Sequence, residues 1–396
     1  MGRKVYILTQ GYPVMPGEDT FLAPEILGLS REFEVECVPL EIECKNQKWR
    51  FFKEAAALVK CPFQGRFLRQ LGEDFKGGGF VKKVAYTLFV GYKGNLYADF
   101  LDRKIFRQGE NAIVYSFWFN EICLGATSLK KKYPQLKIIT RTHGYDLFDF
   151  RSPSGSQPFK GYMDRGLERV VFACDSAKSY YLKRYSLGES ERYRTLYLGV
   201  PAQQKPPYNV GAGEELRIVS CSNAVGLKRI ELIITALSLL CEVGISWSHF
   251  GGGEELERLE ALAEKLLIAP NITYKFYGAV DNASYMEGLK KWGAQLFITA
   301  SSTEGGVPVS IMEAQSLGLP VIATAVGGIC EIVNSGNGTL LCENPTPEEI
   351  AAAIMEFYRL SPEEKQAKSQ GAYSSWQEKF DSEKNSADFT KLLREL

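Results

Sequence analysis

Short apolar runs, each long enough for one buried strand, recur along the chain and alternate with longer helical patterns. In the first half they are Lys4–Thr9, Glu34–Leu40, 111–117, Leu136–His143, Arg169–Asp175 and Arg194–Gly199. In the second half they are Leu216–Ser222, Trp247–Phe250, Asn271–Gly278, Ala294–Ala300, Pro320–Thr324 and Gly338–Leu341. Most are continuous rather than strictly alternating, which suits strands buried on both faces of a parallel sheet. A Gly, Pro or polar loop and then a helix follow most of them. This order predicts two doubly wound α/β domains with a cleft between them. The polar, Pro- and Gly-rich stretch Gln203–Gly213 reads as the linker. The expected boundaries are therefore 1–203 for the first domain, 204–213 for the linker and 214–375 for the second domain.

The densest pattern is Ser301–Gly328, SSTEGGVPVSIMEAQSLGLPVIATAVGG. A strand precedes it. Glu304 and two glycines, Gly305 and Gly306, then form a loop in which backbone amides can approach a ligand closely. Pro308 suits a first helical position, the helix runs on through Val309–Leu317, and Gly318 is placed to end it. Amides of Val307, Val309 and Ser310 at such a helix start can take anionic oxygens. Glu304 and Glu313 can accept hydrogen bonds from hydroxyls. Strand, acidic loop and helix together read as a site for an anion beside a polyol.

Other loops expected at carboxyl edges of the sheets add candidates. Gly11 and Tyr12 follow the first strand, and His143-Gly-Tyr-Asp146 follows a later one. Lys228 and Arg229 are expected at a helix start, where cations oppose the dipole and are easier to explain beside an anionic ligand. The triple glycine Gly251–Gly253 is weak evidence alone, because the full G-x-G-x-x-G context is missing.

The string Ser301–Gly328 resembles the signature of GT4-type retaining glycosyltransferases of GT-B fold, in particular the bacterial exopolysaccharide and capsule group. Eight residues separate Glu304 from Glu313 here, where that family typically has seven. Arg141-Thr-His-Gly-Tyr-Asp146 resembles a second motif of the family. The resemblance implies two Rossmann-like domains facing each other across a cleft, with C-terminal helices from 376–396 crossing back onto the first. It implies that Glu313 holds the nucleotide ribose, and that Glu304 with Gly305–Val307 holds the sugar. By the same resemblance Lys228 and Arg229 hold the diphosphate, and His143 faces the donor sugar. The residues at the end of the strand before Gly278 would touch the base, and Gly11, Tyr12 and Asp146 would lie on the acceptor side. The family's glycine pair in the first loop is replaced by Gly17-Glu18-Asp19, and its strand-end arginine by Cys221 or Ser222. No Asp-x-Asp appears, so the diphosphate is expected to be held without metal and without any cofactor.

Composition narrows the remaining choices. The 396 residues are 45% hydrophobic and 24% charged, as expected of a soluble globular protein. No apolar run approaches the roughly 20 residues needed to span a bilayer, and no signal peptide is recognised. Nine single cysteines and two histidines argue against disulfides and a zinc site, and for a reducing cytoplasm. The net charge of zero conceals eleven Lys/Arg against three acids between Lys45 and Lys93, with Trp49, Phe51 and Phe52 among them. That balance suits an anionic membrane surface, so a peripheral position on its inner face is expected.

The reading is therefore a cytoplasmic, metal-independent, retaining glycosyltransferase. Its partners would be a nucleotide-sugar and a glycan or lipid-linked acceptor, with no nucleic acid. The alternatives are a sugar-nucleotide epimerase and a degenerate protein that binds the donor without transfer.

Overall fold

The computed structural model describes residues 3–14, 19–45, 50–74, 79–105, 112–204, 208 and 215–396. Gly17, Glu18, Trp49 and all but two positions of 204–213 lie outside the described residues, as do the side chains of Asp19, Phe51 and Phe52. Contacts divide the chain into two compact units, Met1–Leu198 with Glu383–Leu396, and Gly199–Ser382.

In the first unit β1 (Lys4–Thr9), α1 (Asp19–Leu29) and β2 (Glu34–Pro39) lead into α2 (Leu40–Lys45), α3 (Arg50–Lys60), α4 (Gly65–Asp74) and α5 (Phe80–Lys104). β3 (Ile113–Ser116), α6 (Glu121–Ser128), β4 (Lys137–Thr142), α7 (Lys160–Gly166), β5 (Arg169–Phe172), α8 (Asp175–Tyr185) and β6 (Tyr193–Thr195) follow. All strands pair in parallel, in the order β2-β1-β3-β4-β5-β6. β3 is buried throughout and β4 in all but its first residue, so neither strand alternates between a buried and an exposed face.

The second unit runs β7 (Glu215–Cys221), α9 (Ile230–Ser238), β8 (Gly244–Phe250), α10 (Leu256–Leu266), β9 (Ile272–Phe276), α11 (Asn282–Trp292) and β10 (Leu296–Thr299). It continues with α12 (Val309–Ser316), β11 (Val321–Thr324), α13 (Ile329–Ile332), β12 (Gly338–Leu341), α14 (Pro347–Arg359) and α15 (Pro362–Lys379). Its six strands are again parallel, in the order β12-β11-β10-β7-β8-β9. The last helix, α16 (Ser382–Arg394), sends Phe389, Leu392 and Leu393 into the core of the first unit beside Val5, Ile7 and Tyr115. Trp376 and Phe380 stay within the second unit.

Each sheet reverses its strand order once, between β1 and β3 in the first unit and between β7 and β10 in the second. Loops leaving adjacent strands there diverge to opposite faces and open a crevice at the carboxyl edge, the usual ligand position of such sheets. Two local expectations are corrected. The helix expected from Lys228 begins at Ile230, because Gly226–Lys228 is a 3-10 turn and Arg229 has a left-handed backbone at φ 47°. Pro308 is the residue before α12 rather than its first, with ψ 134°.

Candidate active site

In the second unit the β7 and β10 loops meet at the strand reversal. Lys228, in the 3-10 turn after β7, forms an ion pair with the Glu304 carboxylate on the loop after β10. The side chains are 19% and 12% exposed, so the pair is sheltered yet reachable. Neighbouring Arg229 does something else. Its guanidinium donates to the carbonyls of Ala300 at 2.7 Å, Ser301 at 2.9 Å and Glu343 at 2.7 Å, and to Asn344 Oδ1 at 3.0 Å. With those donors committed, Arg229 pins the β10 and β12 loops together. Arg229 thus holds these loops in place beside Lys228, the cation paired with Glu304.

The backbone of Glu304–Val307 is moulded by the glycines after β11. A Cβ on Gly327 would lie 2.1 Å from the Glu304 carbonyl oxygen, and one on Gly328 would lie 2.5 Å from the Gly306 carbonyl carbon. Gly327 also has φ +53°, so the position excludes a side chain on both counts. Gly305, Gly306 and Val307 thus owe their placement to residues 20 or so positions downstream.

α12 leaves this loop with no side chain capping its first turn, so the Val309 and Ser310 amides head the helix without a side-chain partner. Its far end closes on Gly318 at φ +73°, with Gly318 N donating to Gln315 O and Leu319 N to Ala314 O. This is the expected glycine cap, in its two-bond form. Glu313 sits in the second turn, only 5% exposed, and accepts from Asn282 Nδ2 at the start of α11. Burial pushes its carboxyl up to about 7, and the Asn282 bond offsets part of the rise. Nearby, burial raises the Cys221 thiol to about 12, with the Glu313 charge adding to it. The buried Tyr285 hydroxyl has no partner of normal geometry.

Two other glycine sites acquire structural explanations. A Cβ on Gly251 would lie 1.9 Å from Ser222 O, and one on Gly253 would lie 2.4 Å from Ala224 O. The triple glycine is thus where the β8 loop passes against the β7 loop. Gly278, left-handed at φ +64°, ends β9, and its carbonyl accepts from Gly251 N at 2.8 Å. Before it, Tyr277 lies flat on Phe250 with ring centres 4.4 Å apart and planes 7° apart. Tyr277 remains 40% exposed and offers an aromatic face at this edge.

The carboxyl edge of the first unit is built differently. His143 follows β4, and its Nε2 lies 3.0 Å from the Phe117 carbonyl, which can only accept, so Nε2 carries the proton. Trp118 and Phe117 pack on the ring at 4.3 and 4.6 Å. Burial and the Arg141 charge lower the His143 pKa to about 3, so the ring is neutral near pH 7. Asp146 is 1% exposed and accepts from the His143 amide at 2.6 Å and the Phe119 amide at 2.8 Å. Buried Lys160 donates to the carbonyls of Phe119 and Asp146. Asp146 therefore organises the loops after β3 and β4. Gly11 and Tyr12 shape the loop after β1, with Thr9 Oγ1 donating to Tyr12 O at 2.8 Å and Val14 N to Gly11 O at 2.8 Å.

The Asn282–Glu313 bond and the carbonyl contacts of Arg229 were not expected, whereas Tyr277 stands at the strand end expected to touch the base. Asp281-Asn-Ala-Ser does carry the signature of a helix cap, and Asp281 accepts from Ser284 N at 2.9 Å. Nothing in the linear sequence couples Asn282 to Glu313. Among the described residues no group of three or more His, Cys, Asp and Glu is placed to hold a metal. No described helix is long and apolar enough to cross a membrane.

Two α/β units of this topology, with an acid-bearing loop feeding an uncapped helix, define a GT-B type protein. Residues 205–374 match the family described as glycosyl transferases group 1. The N-acetyl-alpha-D-glucosaminyl L-malate synthase of Bacillus anthracis is 26% identical over 221 residues, 53% of this chain and 55% of that protein. A GDP-mannose-dependent alpha-(1-6)-phosphatidylinositol monomannoside mannosyltransferase of Mycobacterium tuberculosis is 26% identical over 239 residues, 56% of this chain and 60% of its own. The chain thus spans little more than half the length of these curated relatives. The solved structure of Anabaena HepE in complex with UDP and glucose aligns over 100% of both chains with a TM-score of 0.65 at 15% identity. At that identity the likeness is one of fold.

Proposed function

We propose that the chain transfers a sugar from a nucleotide-sugar donor to a growing, lipid-linked glycan in cell-surface polysaccharide synthesis, with retention of anomeric configuration and no bound metal. The observation that carries this reading is the convergence of Lys228, Glu304 and the uncapped start of α12 at the strand reversal of the second unit. Lys228 and the Val309 and Ser310 amides are fixed positive charge and dipoles in a sheltered site. They stabilise a leaving diphosphate as its charge develops, the kind of preorganised electrostatic effect that dominates many such reactions. Glu313 accepts from the ribose hydroxyls, and Tyr277 gives the base a surface to stack on. Glu304, with the Gly305–Val307 amides, holds the sugar hydroxyls.

Two relatives support the wider reading through their names alone: one acts with GDP-mannose on a phosphatidylinositol mannoside, and HepE was solved with UDP and glucose. The lipid side is supported in the first unit by Leu58, Val59, Phe63 and Leu68. These apolar residues of α3, α4 and the turn between them are exposed, Phe63 to 84%. They accompany the excess of Lys and Arg in this region and suit an anionic, interfacial surface. Equal sedimentation with neutral and anionic vesicles at low salt would remove the membrane part of the proposal.

Steady-state kinetics of two variants test the chemistry. Glu313→Gln weakens a contact made in both ground and transition states, so the donor KM rises with little change in kcat. Glu304→Gln removes charge beside the anomeric carbon, so kcat falls with a smaller change in KM. An unchanged kcat in Glu304→Gln overturns the role given to that carboxylate. Release of product from nucleotide-sugar alone, without acceptor, would point to the epimerase reading.

A further inference from the structure

The first unit carries an open cavity of about 1360 Å³ between α3, α4, α5, α6 and α7, reaching the end of α8. Nine of its lining residues are Lys or Arg and only Glu73 and Asp99 are acidic. Some of that charge is neutralised locally. Arg184 pairs with Asp149 at 2.6 Å and Lys130 with Glu168 at 2.6 Å, and Lys160 is spent on backbone carbonyls. The rest is not. Arg66 donates only to neutral side chains, Gln64, Asn95 and Ser128, while burial lowers its pKa. Lys60, Arg69, Lys131 and Arg165 line the same cavity without a carboxylate partner among the described residues.

The half-buried Arg66 guanidinium, over the Tyr162 ring at 5.2 Å, faces four further, exposed cations, and this concentration of positive charge in a concave site favours an anion. Arg forks match the oxygens of phosphate in particular. We propose that this cavity is a binding site for a diphosphate group, held by Arg66, Arg69, Lys60, Lys131 and Arg165. The site lies wholly in the first unit and is independent of the donor-side reading of the second. A diphosphate of this kind arrives either as a soluble anion or as the head group of a lipid; the same cations serve both.

Amine acetylation of the full chain, mapped by mass spectrometry with and without inorganic pyrophosphate, tests it. The proposal predicts protection of Lys60 and Lys131, while exposed Lys265 on α10 is unchanged. Charge reversal at two of the exposed positions, Arg69→Glu with Lys131→Glu, should weaken pyrophosphate binding by roughly twentyfold or more, with the ligand-free melting temperature unaltered or raised. Lys228, in the second unit, is a separate readout on the same map, so a failure there and a failure here are distinguishable. A parallel arm uses neutral vesicles with and without a lipid diphosphate. Protection of Lys60 and Lys131 by those vesicles, competed by pyrophosphate, assigns the site to a head group, and protection by pyrophosphate alone assigns it to a soluble anion. Protection by neither, or equal affinity in the charge-reversed variant, overturns the proposal.

Discussion

The carboxyl edges of the two sheets make an instructive contrast, because both gather acids and cations at a strand reversal yet spend them differently. At the first, both Asp146 oxygens are taken by the backbone amides of Phe119 and His143, and Lys160 closes the arrangement from below. Asp146 and Lys160 are there consumed in holding loops. At the second, Glu304 has a single cationic side-chain partner among the described residues, and Glu313 is buried against the Asn282 amide at the cost of a raised pKa. Polar groups that are fully satisfied by backbone build a scaffold. Those held by one displaceable partner are poised for a ligand.

The sharpest way to break the contrast is to empty the scaffold. Asp146→Ala leaves Lys160 buried without its counter-charge, and unfolding by denaturant should show a loss of about 3–5 kcal/mol. A near-neutral effect would mean that Asp146 is not structural. The matching change on the other side is Lys228→Ala. It should cost about 10²–10³ in kcat, or about 2.7–4 kcal/mol of transition-state stabilisation, while the melting temperature moves little. Transfer at the normal rate would make Lys228 a partner of Glu304 and nothing more.

Glu313 sharpens the comparison through pH. Its folded pKa of about 7 lies above the ordinary 4.5. The folded chain thus binds this proton more tightly than the unfolded chain does. Its stabilising effect is complete below pH 4.5 and is lost as pH rises to about 7. Glu313→Gln should abolish that slope and gain up to about 3 kcal/mol at pH 8. Over the same range the wild-type donor KM should rise as pH falls through about 7, since protonation removes an acceptor. A flat KM profile would place Glu313 away from the donor. The smallest expected effect is that of Tyr277→Ala. Loss of a stacking face is worth about 1 kcal/mol, seen as a several-fold increase in donor KM.

The contrast also explains what the linear pattern conveyed. Continuous apolar runs and their spacing conveyed the parallel sheets, because strands covered on both faces must be apolar throughout. The strand–loop–helix unit around Glu304 and Glu313 was readable because all of its parts are local. The roles of Arg229 and Asp146 were not. Arg229 is recruited by carbonyls 71 to 114 residues away, and Asp146 by amides whose positions depend on two different strands. Asn282 reaches Glu313 across 31 residues. The close passage of Gly327 and Gly328 under the Glu304 loop likewise exists only once β10 and β11 are paired. Partners set by tertiary approach leave no periodic trace.

The central claim is that the second unit's edge is a nucleotide-sugar site centred on Glu313 and Lys228. Thermal unfolding of the wild type and Glu313→Gln against a panel of nucleotide-sugars tests it most directly. At least one donor, at 100-fold over its dissociation constant, should add about 2.7 kcal/mol to the wild type and clearly less to the variant at equal concentration. A panel in which no nucleotide-sugar stabilises the wild type, or in which both proteins respond equally, would contradict the account.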